Sequence, residues 1–356
     1  MQTDNSDFIY TIYTISDLEN WLFHNADNGI SERVISRTRA LSFVKNPFAR
    51  PDDAVLSVVF NADRQPIGYT AVFAETWVHP YPQERYFWGS TQWLEPAYRG
   101  KGASWNMMWQ IKEAVNQKYI ASDSTIASCK LDKKQGSQIL YYPRFYARFK
   151  RTGNTVKEFL KEKIVENKNK KILKGIQSRY SFVNHYINCI DDETYQFICE
   201  HSSEYLFLRK QEMLNWQLFY PFVLATTGDP YRNKDKCEFG EYVKEQRQQC
   251  IKVYHNDDMC GLYVLNNIDE VCTVQYLYVS ESQKDLVYSS ILANILMQKV
   301  KVFRTFSADL FYFMEQIGIC RMNTKNYSEQ VSLTIPNDFN VSPSLSLQGG
   351  DGDMLT

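Results

Sequence analysis

The sequence lacks the segments that mark membrane and secreted proteins. It contains no run of about eighteen apolar residues, so no membrane-spanning helix is predicted. The N-terminal stretch MQTDNSDFIYTIYTI has neither the basic start nor the small-residue cleavage site of a secretory signal. We therefore expect a cytoplasmic protein that does not engage a membrane.

An excess of charge of either sign is also missing. Lysine and arginine number 40, aspartate and glutamate number 41, and the formal net charge is −1. Proteins that bind nucleic acid usually carry a basic excess. The balance therefore argues against a nucleic-acid partner and leaves any attraction of anions to local patches.

No C-x-x-C pair occurs among the cysteines, so neither a zinc site nor a redox motif is predicted. Cysteines that are scattered through apolar stretches of a cytoplasmic protein are expected to be reduced thiols packed in the core. The eight residues concerned are Cys129, Cys189, Cys199, Cys237, Cys250, Cys260, Cys272 and Cys320.

The chain has 356 residues, of which 44% are apolar and 15% aromatic, enough for two domains that each bury a core. Periodicity predicts a strand, a helix opened by a capping box of Ser16 and Glu19, and a second helix, at residues 8–15, 16–22 and 31–44. A hairpin, a strand and a helix follow at residues 54–77, 85–94 and 104–118. We predict a strand at 124–131 and a helical or turn-interrupted stretch around Pro143 at 137–149.

Residues 148–179 hold eleven basic residues and three acidic ones. This composition fits a solvated linker or an exposed helix, and a second interpretation is a basic lip that attracts an anionic ligand. The order of elements then repeats, which indicates two copies of one α/β unit. We predict domains at residues 1–154 and 179–338, a basic linker at 155–178, and a polar tail at 339–356 that lies loosely on the surface.

The stretch EPAYRGKGASWNMM, residues 95–108, is a turn between a predicted strand and a predicted helix. The first N–H groups of a helix have no partner inside it, and the helix dipole adds partial positive charge there. Gly100 and Gly102 let the main chain approach a ligand closely, and Arg99 and Lys101 add formal charge. The turn is therefore suited to a phosphate ester or a pyrophosphate, although Arg-Gly-Lys-Gly by itself also fits an ordinary surface turn.

The pattern is neither a P-loop nor a dinucleotide-binding turn. It resembles the acetyl-CoA signature R/Q-x-x-G-x-G/A of the GNAT superfamily of N-acetyltransferases, with Arg99 first, Gly102 fourth, and Ser104 where glycine or alanine is expected. The resemblance implies a mixed α/β fold of two GNAT-like domains, each a mostly antiparallel central sheet flanked by helices. It also implies acetyl-CoA as the acyl donor.

The resemblance further implies which residues bind the coenzyme. They are the end of the strand and the turn after it: Trp93, Leu94, Glu95, Arg99, Gly100, Lys101, Gly102, Ala103 and Ser104. A main-chain N–H at the strand end would stabilise the oxyanion that forms when an amine attacks the thioester.

Catalytic roles are assigned through the same resemblance. Tyr146 is expected to protonate the leaving thiolate, with Tyr142 in reserve. Glu84 or Glu95 is expected to accept the proton of the amine. His79 is a further candidate, in a loop that would line the acceptor pocket, and no metal ligand is predicted.

The second copy reads YVSESQKDLVYSS at the corresponding turn, with no glycine and only Lys284 for charge. We expect it to be a degenerate copy that shapes the acceptor cleft. The leading hypothesis is an acyl-CoA-dependent N-acyltransferase that moves acetyl to the amine of a small molecule by direct attack. Two alternatives stay open: a module that binds or senses a coenzyme A thioester without turnover, and an enzyme that takes its acyl group from aminoacyl-tRNA.

Overall fold

The computed structural model describes residues 8–24, 29–222, 224–225, 242–323, 327–342 and 344–352. The strands and helices predicted for residues 8–118 all form. The elements of the first half are β1 (Ile9–Thr14), α1 (Ile15–His24), α2 (Arg37–Val44), β2 (Ala54–Phe60), β3 (Pro66–Glu75), β4 (Trp77–His79), β5 (Tyr86–Leu94), α3 (Ala103–Ala114), β6 (Tyr119–Ser122), α4 (Ile126–Lys134) and β7 (Ser137–Arg148).

The second half repeats much of this order, as predicted. The basic segment forms one 24-residue helix, α5, which starts at a capping box between Thr155 and Glu158. The elements are α5 (Val156–Arg179), β8 (Val183–Ile187), α6 (Asp192–Glu200), β9 (Leu208–Arg209), α7 (Gln211–Phe219), β10 (Leu224–Ala225), β11 (Tyr242–Val243), β12 (Gln246–His255), β13 (Asp258–Ile268), β14 (Val271–Val279), α8 (Lys284–Gln298), β15 (Val302–Thr305), α9 (Ala308–Gln316) and β16 (Ser328–Pro336).

The starts of the first two helices differ from the prediction. The reciprocal bonds at the start of α1 join Thr14 and Asp17, two residues before the expected pair. α2 begins at Arg37, where the Ser36 side chain accepts from the Arg39 N–H, rather than at residue 31.

Two stretches between residues 124 and 149 have the opposite secondary structure from the prediction. Residues 126–134 form helix α4, because the Thr125 side chain accepts from the Ser128 N–H and so caps a helix at this point. Residues 137–148 form strand β7 despite Pro143. β15 pairs only with residues 145–148, so the edge of β7 that faces β15 is open at Pro143. The missing N–H of the proline therefore removes no ladder hydrogen bond on that edge.

In the described part of the chain, twelve strands form one sheet in the order β1-β2-β3-β5-β6-β16-β7-β15-β14-β13-β12-β8. Neighbours pair antiparallel except β5 with β6 and β14 with β15, which are parallel. The fold is therefore a mixed α/β fold with a large, mostly antiparallel sheet flanked by helices.

The two halves exchange their last strands at the centre of this sheet. β16 of the second half lies between β6 and β7, where Leu333 pairs with Ser122 on one side and Leu140 on the other. β7 of the first half lies between β16 and β15, where Phe145 pairs with Thr305. Because the hydrogen bonds of both central strands cross between the halves, the two sets of strands form one continuous sheet.

Each half nevertheless buries its own apolar core. One cluster is centred on β2, β3 and β5 and includes Trp77 and Trp88, with Phe207 and Trp216 contributed by the second half. The other is formed by α5, α8, α9 and strands β12–β15. Among the helices described, none is both long and apolar enough to cross a lipid bilayer.

Helix α3 packs on the sheet through the face that the sequence predicts. Met108, Ile111 and Val115 are buried, whereas Trp105 is only half-buried. The apolar contacts fix the helix axis so that its first turn is held at the end of β5.

The described cysteines are free, as expected for reduced thiols, but two of them are not in the core. Cys189 and Cys199 are exposed and Cys320 is half-buried, while the buried members are Cys129, Cys250, Cys260 and Cys272. Cys237 lies outside the described residues.

The prediction that the polar tail lies loosely on the surface is wrong for residues 347–352, which are buried. Gly350 N–H donates to Gln275 O on β14 at 2.8 Å, and the Gln348 side chain accepts from Leu277 N–H at 2.9 Å. The tail enters the sheet because it satisfies main-chain groups that the divergence of β14 from β15 leaves unpaired.

A side chain at Gly349 is expected to disrupt this insertion. A Cβ there would lie 2.3 Å from the Val274 carbonyl oxygen, which is main chain and cannot rotate away. We expect Gly349→Ala to lower the free energy of unfolding by about 1–3 kcal/mol in urea titrations.

Gly175→Ala on α5 is the matched control, because a Cβ there meets nothing within 4 Å. Alanine favours a helix interior, so this variant is expected to gain about 0.5–1 kcal/mol. Equal effects of the two substitutions would contradict the tight insertion of the tail.

Candidate functional site

The turn between β5 and α3 is exposed and lacks a side-chain cap. Gly100 and Gly102 have φ values of 79° and 85°, in the left-handed region that favours glycine. Gly102 is the N-cap of α3, and within the described residues the helix has no side-chain cap at this end. The start of α3 therefore presents main-chain donors at the positive end of the helix dipole to the outside of the fold.

The basic side chains of the turn lie close to its main chain. Arg99 Nε donates to Leu94 O at 2.9 Å, and the Lys101 ammonium lies 5.3 Å from the centre of the Tyr98 ring. Arg99 and Lys101 are exposed. Their charges add to the positive potential at the start of α3, as the sequence predicts.

The strand that leads into the turn has one open edge. β5 pairs with β6 only at Phe87 and Trp88, after which the two parallel strands diverge. On the other edge, Glu95 N–H donates to Ile67 O at 2.8 Å. Since alternate residues of a strand face opposite neighbours, the main-chain groups of Gln92 and Leu94 face the cleft between β5 and β6.

This pairing decides which main-chain groups of the predicted coenzyme-binding residues face the cleft. The N–H of Glu95 is already bonded to β3, and the residue two before it, Trp93, pairs with Tyr69 in the same ladder. Of the three strand residues predicted, Leu94 alone turns its main chain toward the cleft, and Gln92 joins it.

The base of this cleft is closed by the tail. The Ser122 hydroxyl at the end of β6 donates to Asp351 O at 2.9 Å. A Cβ on Gly352 would lie 2.3 Å from Ser122 Oγ and 3.0 Å from the Trp88 ring. The tail thus runs from β14 in the second half to the point where β5 and β6 diverge in the first.

Beside the tail lies a buried cluster of one cation and two carboxyl groups, which we call the buried triad: Glu75, Arg209 and Asp351. Arg209 Nη1 lies 2.6 Å from Glu75 Oε2, and Arg209 Nε lies 3.5 Å from Asp351 Oδ1. All three side chains are 0% exposed. The Trp88 indole N–H also donates to Glu75, which joins the triad to β5.

Burial dominates the acidity of the two carboxyl groups. It raises the pKa of Glu75 to about 7, although the charge of Arg209 opposes the shift. It raises the pKa of Asp351 to about 6, again against the charge of Arg209. Two carboxyl groups share one cation here, so burial favours the protonated form of each.

The second half has a similar cleft that is filled. β14 and β15 pair at residues 271–273 and 302–304 and then diverge, and the tail occupies the gap. α8 starts at Lys284 without a glycine, and the Lys284 ammonium pairs with Glu281 at 2.7 Å and Asp309 at 3.3 Å. The second turn therefore differs from the first in conformation, charge and access.

The predicted catalytic carboxylates lie at opposite ends of β5. Glu84 precedes the strand, forms a salt bridge with Lys118, and has a pKa lowered mainly by that hydrogen bond. Glu95 follows the strand and is half-buried beside the turn. A nine-residue strand spans about 30 Å, so the two groups cannot serve one thioester, and only Glu95 is near the turn.

The predicted acids do not lie on a helix. Tyr146 is half-buried on β7, which is separated from β5 by β6 and β16, about 14 Å across the sheet at ordinary strand spacing. Tyr142 is buried closer to the tail, and its pKa is raised by burial and by the charge of Asp351. His79 is exposed at the end of β4, which pairs with β9 of the second half.

Sequence reasoning missed the buried triad. The one local signal for it is Glu75, which ends a mostly apolar strand. A charged residue in such a strand must be either exposed or paired with an opposite charge. Nothing near Arg209 or Asp351 indicates a partner, because the three residues come from separate parts of the chain.

No protein-family model matches the chain, and no curated protein matches it. Among solved structures, N-myristoyltransferase of Saccharomyces cerevisiae with bound myristoyl-CoA has a TM-score of 0.55 at 10% identity, over 99% of this chain and 84% of that one. An N-acetyltransferase of Kribbella flavida, described as GCN5-related, has a TM-score of 0.48 at 11% identity, over 92% of this chain and 72% of that one. A tandem GNAT protein from the clavulanic acid biosynthesis pathway also has a TM-score of 0.48 at 11% identity, over 92% and 98% of the two chains. The likeness to the yeast enzyme is one of fold: both chains have a mixed α/β architecture with a large, mostly antiparallel sheet.

Proposed function

We propose that the protein is an acyl-CoA-dependent N-acyltransferase whose donor site is the cleft between β5 and β6 together with the turn after β5. The observation that carries the proposal is the start of α3, where two left-handed glycines adjoin a strand edge on which the N–H groups of Gln92 and Leu94 meet no main-chain acceptor among the described residues. The start of α3 suits a pyrophosphate, and the strand edge suits the amide-containing arm and the thioester carbonyl.

The reaction would need no side-chain nucleophile. The acceptor amine attacks the thioester carbonyl carbon, and a main-chain N–H of the open β5 edge donates to the developing oxyanion, which can be worth about 3 kcal/mol. The carbon–sulfur bond then breaks, and the amine's proton passes to a base. Glu95 is our candidate for the base, and Tyr142 or Tyr146 for the acid that protonates the thiolate.

The donor we propose is acetyl-CoA, and the acceptor is a small-molecule amine in a cleft narrowed by the second half. A longer acyl group is a second candidate for the donor. It is supported by the likeness in fold to the yeast enzyme, whose structure holds myristoyl-CoA. A donor screen should therefore include both thioesters.

A second class of function is binding of the thioester without turnover. It is supported by the position of Tyr146, three strands from β5. Saturable binding of either thioester, with no thiol release over a wide panel of amines, would favour this alternative over the enzyme.

The matched pair Gly100→Val and Gly318→Val tests the donor site. The two glycines have φ values of 79° and 77°, and a Cβ at either meets nothing within 4 Å, so the substitutions strain the main chain equally. We expect Gly100→Val to raise the Kd for acetyl-CoA by calorimetry at least about ten-fold, a loss of about 1.4 kcal/mol. Gly318→Val should leave it unchanged.

Thiol release is then measured for the wild type and both variants against pooled amines. Release by the wild type and by Gly318→Val, but not by Gly100→Val, is the expected result. An equal Kd for all three proteins, or no binding of either thioester, would overturn the assignment.

A further inference from the structure

A cavity of about 400 Å³ lies between α5 and the C-terminal end of α8, in the second half of the chain and outside the donor cleft. Its volume is within the range of small-molecule sites. Most of its wall is apolar and comes from both helices and from the residues after β7: Phe149, Val165, Leu173, Ile295, Leu296 and Val300.

Hydrogen bonds hold the middle of α5 against the residues that follow α9. Asn169, at the middle of α5, donates to Cys320 O and accepts from Cys320 N–H, both at 2.8 Å. Asn169 is 6% exposed and both of its polar groups are therefore satisfied. This pair anchors the middle of α5 to the chain after α9, and the apolar cavity between α5 and α8 loses packing energy while it stays empty.

A second, polar cavity of about 610 Å³ adjoins the first and shares Lys150, Lys299 and Val300 with it. Three of its cationic side chains form no salt bridge within the described residues: Lys244, Arg247 and Lys299. Lys299 is the C-cap of α8 and has a φ of 53°, a left-handed conformation that few lysines adopt.

Three acidic side chains line the polar cavity, Glu245, Asp269 and Glu270, and of these only Glu270 forms salt bridges within the described residues. Glu270 pairs with Lys150 at 2.5 Å and with Lys301 at 3.9 Å. Asp269 accepts from the main-chain N–H groups of Lys244 and Glu245. In the described part of the chain, three cations outside salt bridges, Lys244, Arg247 and Lys299, therefore face two carboxylates outside salt bridges, Glu245 and Asp269, so the net charge of the cavity is positive directly beside an apolar wall.

We propose that the two cavities form one binding site for an amphiphile that has a single apolar chain and an anionic head group. The chain lies between α5 and α8, and the head group lies against Lys299, Lys244 and Arg247. Burial of the chain supplies the affinity, and the cations select the sign of the head group. The basic segment of the sequence thus forms a wall of the site. This proposal does not depend on the proposed acyltransferase activity.

The test measures binding of three probes with the same chain to the full-length protein, by calorimetry below the micelle concentration of each. Laurate and dodecyl phosphate carry anionic heads, and dodecyltrimethylammonium carries a cationic one. We expect both anionic probes to bind and the cationic probe to bind at least about ten-fold more weakly. Laurate and dodecyl phosphate together distinguish a carboxylate head from a phosphate head.

Matched variants locate the site. Leu173→Trp fills the apolar cavity, and Leu160→Trp makes the same change on the exposed side of α5, where Leu160 is 56% exposed. The first should weaken binding about ten-fold or more and the second should not. Met297→Trp, at a wall residue that is 50% exposed, replaces the first variant if its thermal unfolding shows a folding defect.

Two further sets of variants test the charge of the head-group site and its independence from the donor cleft. Lys299→Glu should weaken the anionic probes and strengthen the cationic one, whereas Lys168→Glu, on α5 outside the cavity, should change neither. Gly100→Val should leave laurate binding intact, which separates this site from the donor cleft. Absence of binding, binding unchanged in both Leu173→Trp and Met297→Trp, or equal affinity for all three head groups would overturn the proposal.

Discussion

Replacing Arg209 by methionine is expected to lower the free energy of unfolding by about 3–5 kcal/mol at pH 8, the usual cost of removing one partner from a buried ion pair. Arg209 is the one cation of the buried triad and contacts Glu75 at 2.6 Å and Asp351 at 3.5 Å. Without it, two carboxyl groups that are 0% exposed lose their counter-charge. Urea titration followed by circular dichroism measures the loss.

Arg151→Met is the control for this prediction. Arg151 pairs with Glu162 at 3.5 Å with 35% of its side chain exposed, and such pairs contribute less than about 1 kcal/mol. A triple variant, Glu75→Gln with Arg209→Met and Asp351→Asn, should recover part of the loss because no uncompensated charge remains. An Arg209→Met protein as stable as Arg151→Met would show that the triad contributes nothing.

We expect the deprotonation of Glu75 to lower the free energy of unfolding as the pH rises. Its pKa is about 7 in the folded protein and 4.5 ordinarily, so folding favours the protonated form. The contribution to stability is complete below pH 4.5 and is lost as the pH rises through 7. For one group with this shift the loss is about 3 kcal/mol. The stability of the wild type relative to Glu75→Gln should fall by this amount between pH 4.5 and 8.

For Glu158→Gln we expect the stability difference from the wild type to change with pH in the opposite direction, so this variant serves as the comparison. Hydrogen bonds from Thr155 at the start of α5 lower the pKa of Glu158, so its stabilising effect is lost as the pH falls. The advantage of the wild type over this variant should therefore shrink at low pH. If the Glu75 and Glu158 variants showed the same slope, the assignment of a raised pKa to Glu75 would be wrong.

The local part of the proposed donor site was predictable from sequence because it depends on short-range chemistry. Alternation along residues 85–94 indicates a strand, Gly100 and Gly102 permit left-handed main chain, and the apolar face of Met108, Ile111 and Val115 indicates the helix that follows. Each signal lies within a few residues of the structure that it predicts.

The secondary structure of two stretches was predicted wrongly because residues next to them in sequence or in the sheet decide their conformation. Residues 124–131 contain β-branched residues that suit a strand, but a single capping residue, Thr125, starts a helix instead. Residues 137–148 contain Pro143, which argues against a strand unless one edge is open there, and that edge is set by β15 far along the chain. Local propensity is weak beside such tertiary contacts.

Local sequence signals were enough to assign the types of most elements, their repeated order and the glycine turn between β5 and α3. Three features became visible only in the folded chain: the halves exchange β7 and β16, the tail fills the second cleft and reaches the first, and Glu75, Arg209 and Asp351 meet. The reason is that these contacts join residues seventy or more positions apart, so they depend on which unpaired main-chain groups and buried charges the folded chain brings together.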